Sequence, residues 1–246
     1  ARFVTPASGI CGTCVDNTPL SFKTTTAKVA GTYRLPLAFS LIGGVDQVNQ
    51  DRNIPTGNIT PAGIDNQRYV PFRAKLDETT YRLQLRRSMS ESVSGAIAFL
   101  HSTRDGSGLT LTNLAVQDQI NPIHIADRTR NKWRGTIDWS PMDRFSVAFN
   151  LENSRDRYAD DRPYGLRNGD ARLYSLDLSY AVTDNWKFTT WLSHDKTKAL
   201  QKNQRTGTVT DTLMEDKLSD TGKSIGVGLR GDATPRIKVG ADVLWT

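Results

Sequence analysis

Long apolar runs are missing from this chain of 246 residues. No segment approaches the ~18 consecutive apolar residues that a membrane-spanning helix needs, so a helical membrane protein is excluded. A transmembrane β-barrel is not excluded, because its polar interior positions dilute the average. A hydrophobic fraction of 37% and a mean hydropathy of -0.48 would suit such a barrel as well as a soluble single-domain protein. Cysteine is scarce, at two residues, and histidine stands at three. Cys11 and Cys14 form a C-x-x-C in "GICGTCVD". Covalent c-type haem attachment requires His at the next position, where Val15 stands, so that chemistry is ruled out. A structural zinc would need two further ligands, and His101, His124 and His194 are dispersed along the chain. Cys11 and Cys14 are then a loop-stapling disulfide, an incidental pair or a redox couple, and an oxidising exterior favours the disulfide.

Charge of one sign is never concentrated. The net charge is +6, from 32 Lys and Arg against 26 Asp and Glu, but the signs alternate along the chain, so nucleic acid is not an expected partner. Gly-rich phosphate loops and nucleophile-elbow motifs are absent. The opening "ARFVTPASGICGTC" carries no basic stretch, apolar core or cleavage site, so a signal peptide is expected to have been removed or to lie outside this piece.

Helical i, i+3, i+4 patterning is also lacking. Period-2 alternation takes its place from Lys23 onward. In "RFSVAFNLEN", Phe145, Val147, Phe149 and Leu151 share one face and Ser146, Ala148, Asn150 and Glu152 the other. The preceding "KWRGTIDWSP" sets Trp133, Gly135, Ile137 and Trp139 against Arg134, Thr136 and Asp138. Near the end, Ile237, Val239, Ala241, Val243 and Trp245 oppose Lys238, Gly240 and Asp242. Short polar turns are expected at Leu35-Pro36, Met89 to Glu91, Pro141 to Arg144, Thr183 to Asn185 and Thr234 to Arg236. Between them fall long polar connections, about Asp51 to Tyr69, Asp105 to Arg130, Asp160 to Gly169 and Leu200 to Thr221.

Short turns at one end and long loops at the other describe an all-β, antiparallel up-and-down transmembrane barrel with short periplasmic turns and long extracellular loops, here of roughly ten strands. A soluble sandwich or solenoid would bury the apolar faces in a core. Two features favour the barrel. Tyr33, Trp139, Phe145, Trp186 and Phe188 gather beside the short turns, as an interfacial girdle would, and the opposite faces are rich in Ser, Thr, Gly, Asp and Arg. In the hairpin around Thr183 to Asn185, Tyr174, Leu176, Leu178, Tyr180, Trp186, Phe188, Thr190 and Leu192 are expected to meet lipid. Arg172, Ser175, Asp177, Ser179, Lys187, Thr189, Trp191 and Ser193 are expected to face the lumen, with Trp191 as an aromatic exception there. The same parity puts the loop segment of residues 1–22, with Cys11 and Cys14, on the extracellular side, and assigns residues 23–246 to barrel hairpins.

The hairpins carry a family resemblance. "YGLRNGDARLYSLDLSYAVTDNWKFTTWLSHDK", "LDETTYRLQLRRSMSESVSGAIAFLHSTRDGSG", "IADRTRNKWRGTIDWSPMDRFSVAFNLENSRDRY" and "TYRLPLAFSLIGG" resemble the decahaem-associated outer-membrane β-barrels of the MtrB/PioB type, from about Lys23 to Thr246. The resemblance implies a barrel of more than about twenty strands in the outer membrane of a Gram-negative bacterium. Such a barrel sheathes a periplasmic multihaem (decahaem) c-type cytochrome and lets electrons cross the outer membrane to or from an extracellular multihaem cytochrome or mineral. It holds no cofactor of its own; the haem belongs to the partner. Roughly ten strands are too few to enclose a cytochrome, so the chain is expected to be a segment of a longer barrel. The ending "GADVLWT" agrees, since Trp245-Thr246 is a poor match to the Phe-closing final strand of bacterial barrels.

Candidate functional residues are the lumen-facing charges Arg82, Arg86, Arg134, Asp138, Asp177, Lys187, Asp195, Arg230, Lys238 and Asp242, with Trp191 beside them. In lipid each charge would cost about 2–4 kcal/mol at the midplane, so they must meet water, a partner or one another. Partner docking and simple solvation with cross-strand ion pairs both account for them. His194-Asp195 invites comparison with rim proteases, but adjacent strand residues point to opposite faces, and no enzyme is expected. The function expected is a cytochrome-holding sheath for extracellular electron transfer, with a diffusion porin or substrate channel as the alternative.

Overall fold

The structure is a computed structural model, and it describes residues 3–4, 16–17, 21–53, 73–107, 120–121, 125–160, 164–205 and 212–246. Cys11, Cys14 and His124 lie outside the described residues.

Ten long strands carry the fold: β1 (Phe22–Arg34), β2 (Phe39–Arg52), β3 (Lys75–Ser88), β4 (Val93–Gly106), β5 (Arg128–Met142), β6 (Phe145–Tyr158), β7 (Tyr164–Ala181), β8 (Trp186–Arg205), β9 (Thr212–Thr234) and β10 (Ile237–Trp245). Each pairs antiparallel with the next in sequence, giving one up-and-down sheet. Two minor pairings accompany it. Phe3–Val4 pairs with Asp16–Asn17, and Ile120–Asn121 runs parallel to the start of β7. The hairpin turns at one end are short, as expected. In the first, Leu37 and Ala38 both take positive φ (60° and 59°), the backbone of the tight turns whose twist matches that of paired strands.

Alternation sets the two faces. Directly opposed residues share a face, so the register Gly135↔Leu151, Ile137↔Phe149 and Trp139↔Val147 between β5 and β6 continues as Leu151↔Tyr174, Phe149↔Leu176 and Val147↔Leu178 into β7. Tyr174↔His194, Leu176↔Leu192 and Tyr180↔Phe188 then carry the apolar face into β8. This face is open: Val29 is 75% exposed, Leu83 54%, Ile97 52% and Val243 51%. Buried hydrophobic residues among those described are limited to Leu76, Ala98, Ile125 and Ala126. A sandwich would bury these faces against a second sheet; here they await another apolar phase.

The apolar band lies between two aromatic girdles. One is beside the short turns, with Phe145 and Tyr180 in edge contact at 6.5 Å and Arg87 over the Phe39 ring at 4.7 Å. A second, absent from the sequence expectations, crosses mid-strand: Phe99 against Trp133 at 4.8 Å and Tyr174 stacked on His194 at 6.4 Å. Tyr174 to Tyr180 is six residues, about 20 Å along a strand.

Two expectations are corrected. Much of the long connections is strand: β8 runs to Arg205 and β9 starts at Thr212, with 20 and 23 residues respectively, about twice the ~9–11 that span a membrane. Beyond the lipid neither face needs to be apolar, so alternation disappears while backbone pairing continues. Arg172 is the second correction. It stands opposite Asn153 and Lys196, in phase with Tyr174 and so on the outward face rather than the lumen side; Leu173 takes the inward position, opposite Glu152 and Asp195. Because Arg172 lies past the second girdle, it meets headgroups or water rather than hydrocarbon.

The sheet does not close. β1 and β10 pair on one side only, and every residue of both strands is exposed.

Candidate functional site: the polar face of the sheet

The face opposite the apolar band gathers Arg82, Arg86, Arg134, Asp138, Asp177, Lys187, Trp191, Asp195, Arg230, Lys238 and Asp242. The register carries this face across the whole sheet, through Ser40↔Arg86↔Ala96, Arg82↔Leu100, Ala98↔Arg134↔Glu152, Ser94↔Asp138↔Ala148, Asp177↔Trp191↔Gly226, Leu173↔Asp195↔Gly222, Lys187↔Arg230, Asp232↔Lys238 and Gly228↔Asp242.

In the half nearer the short turns the surface is shallow and mixed. Asp138, Asp177, Thr189 and Trp191 border a depression of about 300 Å³. Arg230, Asp232, Lys238 and Asp242 border another of about 550 Å³, spanned by an Arg230–Asp242 ion pair at 2.8 Å. Glycine makes room for the larger side chains. A Cβ on Gly226 would lie 2.2 Å from Trp191 Nε1, so the indole lies flat over the bare backbone of β9. Trp191 nonetheless remains 37% exposed, on the border of the depression.

The half nearer the long loops holds a denser network, largely missed from sequence. β5 presents Arg128, Arg130, Lys132 and Arg134 on this face, opposite Tyr158, Asp156, Ser154 and Glu152 of β6. Arg130 donates two bonds to Asp156, both 2.6 Å, and Tyr158 donates a third at 3.4 Å. Arg128 bridges to Glu78 at 2.8 Å and approaches Asp156 at 3.8 Å. Glu152 is gripped by Lys132 at 2.5 Å and Arg134 at 2.6 Å. Arg73 clasps Asp127 through two nitrogens, and Arg104 donates to the carbonyl of Ala126 at 3.0 and 2.7 Å. Ile125 and Ala126 are thereby pinned in a buried position. Arg167, at a bulge in β7, turns inward to Asp160 at 3.1 Å, as bulges re-aim side chains. "RTRNKWR" alternates cations at every second residue, and that period was the available signal. Assigning Asp105 to Arg130 to a loop concealed it.

His194 and Asp195 do fall on opposite faces: His194 opposes Tyr174 outside and Asp195 opposes Gly222 inside, so the pair forms no dyad.

A meandering antiparallel sheet with an apolar band between aromatic girdles, short turns at one end and a charged opposite face is the wall of a transmembrane β-barrel of the outer membrane. More particularly, the chain belongs to the MtrB/PioB outer membrane beta-barrel porin family, whose model matches residues 4–246. It is 22% identical to "Outer membrane protein MtrB" of Shewanella baltica over 245 residues, covering 97% of this chain and 32% of that protein. The chain therefore spans about a third of the length of that curated relative. Among solved structures, the ferric-catecholate import receptor Fiu of E. coli aligns with 92% of this chain and 47% of its own, at 10% identity and a TM-score of 0.52, a likeness of fold alone. The siderophore receptor PiuA of Acinetobacter baumannii aligns at 12% identity over 91% of this chain and 42% of its own, with a TM-score of 0.49.

Proposed function

We propose that this sheet is one arc of a wide outer-membrane barrel that holds and insulates a multihaem c-type cytochrome, allowing electrons to cross the outer membrane. The observation that carries the reading is the open arc itself: ten strands with two unpaired edges. Small barrels of about eight strands fill their interior with their own side chains, whereas wide ones enclose space. A wide polar interior suits a folded partner. In this reading the shallow half, with Asp138, Asp177 and Trp191, is the seat, and the ion-paired half near the long loops is a rigid rim. The chain contributes no redox group. It would keep lipid off the cytochrome surface and fix the haems where they exchange electrons with partners on each side, an extracellular multihaem cytochrome among them.

The alternative is a porin, favoured by the family description. Purification of the barrel in mild detergent separates the two. A haem Soret band co-eluting with the protein, and lost in an Asp177→Lys/Trp191→Ala variant that still folds, supports the sheath. Haem-free barrel that conducts ions in planar bilayers would replace it with the porin.

A further inference from the structure

We propose that the outward face of β6 to β9, just beyond the second aromatic girdle, binds the phosphate groups of outer-leaflet glycolipid. This site is on the other side of the wall from the polar face and does not depend on what the lumen contains.

The register builds the site row by row. Leu151, Tyr174, His194 and Lys223 form the girdle row. The next row outward is Asn153, Arg172, Lys196 and Thr221, and the one beyond it Arg155, Asp170, Lys198 and Ser219. Arg157 follows, opposite Asn168. Rows are about 7 Å apart along the strands and neighbouring strands about 4.8 Å apart. Six cations, Arg155, Arg157, Arg172, Lys196, Lys198 and Lys223, thus occupy a patch about 14 Å across the strands and about 20 Å along them, and all are exposed. The acid within these rows is Asp170, in an open pair with Arg155 at 3.1 Å, too exposed to neutralise the patch.

The other half of the sheet has no such surplus. On β1 to β4 the outward positions past the girdle run Lys23, Asp51 and Lys75 side by side, then Asp77 beside Asp105, and the signs cancel. General snorkelling of basic side chains would load both halves alike. The concentration on four strands marks a ligand, and its height fixes which one. These side chains stand on the lipid-facing side at headgroup level, at the long-loop end, where the outer leaflet carries its phosphorylated glycolipid. Arginine forks grip phosphate oxygens in pairs and lysines add point charges.

The test uses protein extracted from outer membranes in mild detergent, stripped of lipid and titrated with purified lipopolysaccharide. An Arg172→Gln/Lys196→Gln/Lys198→Gln variant should bind about a hundredfold more weakly, on the scale of ordinary juxtamembrane cations. Removing the same charge on the other half, by Lys23→Gln/Lys75→Gln/Arg87→Gln, should leave binding unchanged. The charge-retaining Arg172→Lys/Lys196→Arg/Lys198→Arg variant should keep it, which separates loss of charge from loss of fold. Dephosphorylated lipopolysaccharide should bind the unaltered protein as weakly as the intact lipid binds the glutamine variant. Unaltered affinity in that variant, or equal affinity for phosphatidylglycerol micelles, would overturn the proposal. Haem content, a property of the opposite face, should not change in any of these variants, so failure here is distinct from failure of the sheath.

Discussion

Asp156 is the residue on which most of the polar rim converges. Its side chain is 9% exposed and is held by Arg130 on both oxygens, with Arg128 and Tyr158 alongside. Taking away one member of a buried ion network leaves the others charged and unpaired, which typically costs about 3–5 kcal/mol. Asp156→Ala should therefore lower the urea midpoint of the detergent-folded protein substantially. Arg230→Ala breaks a pair whose side chains are 70% and 56% exposed, and should cost no more than about 1 kcal/mol. Equal midpoints for the two variants would contradict the buried role of Asp156. Sequence reasoning reached Arg134 and Asp138 because they sit in a clear alternating stretch. It did not reach Arg73 and Asp127, which are 54 positions apart and meet only because β3, β4 and β5 are neighbours, a fact with no local signature.

At the scale of a strand, neighbouring residues live in different solvents. Ile137 lies outward between the girdle residues Trp133 and Trp139, while Thr136 lies inward opposite Ala96 and Asn150. A charge at the lipid midplane costs about 2–4 kcal/mol in a barrel, and in the lumen close to nothing. Ile137→Arg should accordingly impair refolding into liposomes, measured by protease protection or urea titration, while Thr136→Arg one position away should fold normally. A reversed or equal outcome would mean that the faces are exchanged. Face, hairpin order and turn positions were legible because lipid imposes a strict period of two wherever it touches the strand. Strand ends were not, since lipid stops imposing it beyond Tyr174 and His194, and a paired but fully polar strand such as the outer part of β8 reads as loop. The second girdle escaped notice for the same reason: Tyr81, Trp133 and Tyr174 fall mid-strand in chain terms, with no turn beside them to mark an interface.

For the whole molecule the two free edges of the sheet set the governing constraint. Unpaired strand edges carry a row of unused backbone donors and acceptors, which is intolerable in lipid. Either β1 meets β10 in a small closed barrel, or each meets further strands of a wider wall, as the sheath reading requires. Cysteine pairs distinguish these in the protein as it sits in the membrane. Val29 stands directly opposite Val45, and Val227 opposite Val243, within the reach of about 4.5–5.5 Å that cross-strand neighbours have. With Cys11 and Cys14 replaced by Ser, Val29→Cys/Val45→Cys and Val227→Cys/Val243→Cys should each crosslink under mild oxidation and shift on a non-reducing gel. Val29→Cys/Val243→Cys should not, because the wide wall keeps the first and last strands far apart. A disulfide in that third pair, as efficient as in the first two, would close the sheet into a ten-stranded barrel. Its interior would be filled by Trp191, Arg82 and their neighbours, leaving room for ions but none for a cytochrome.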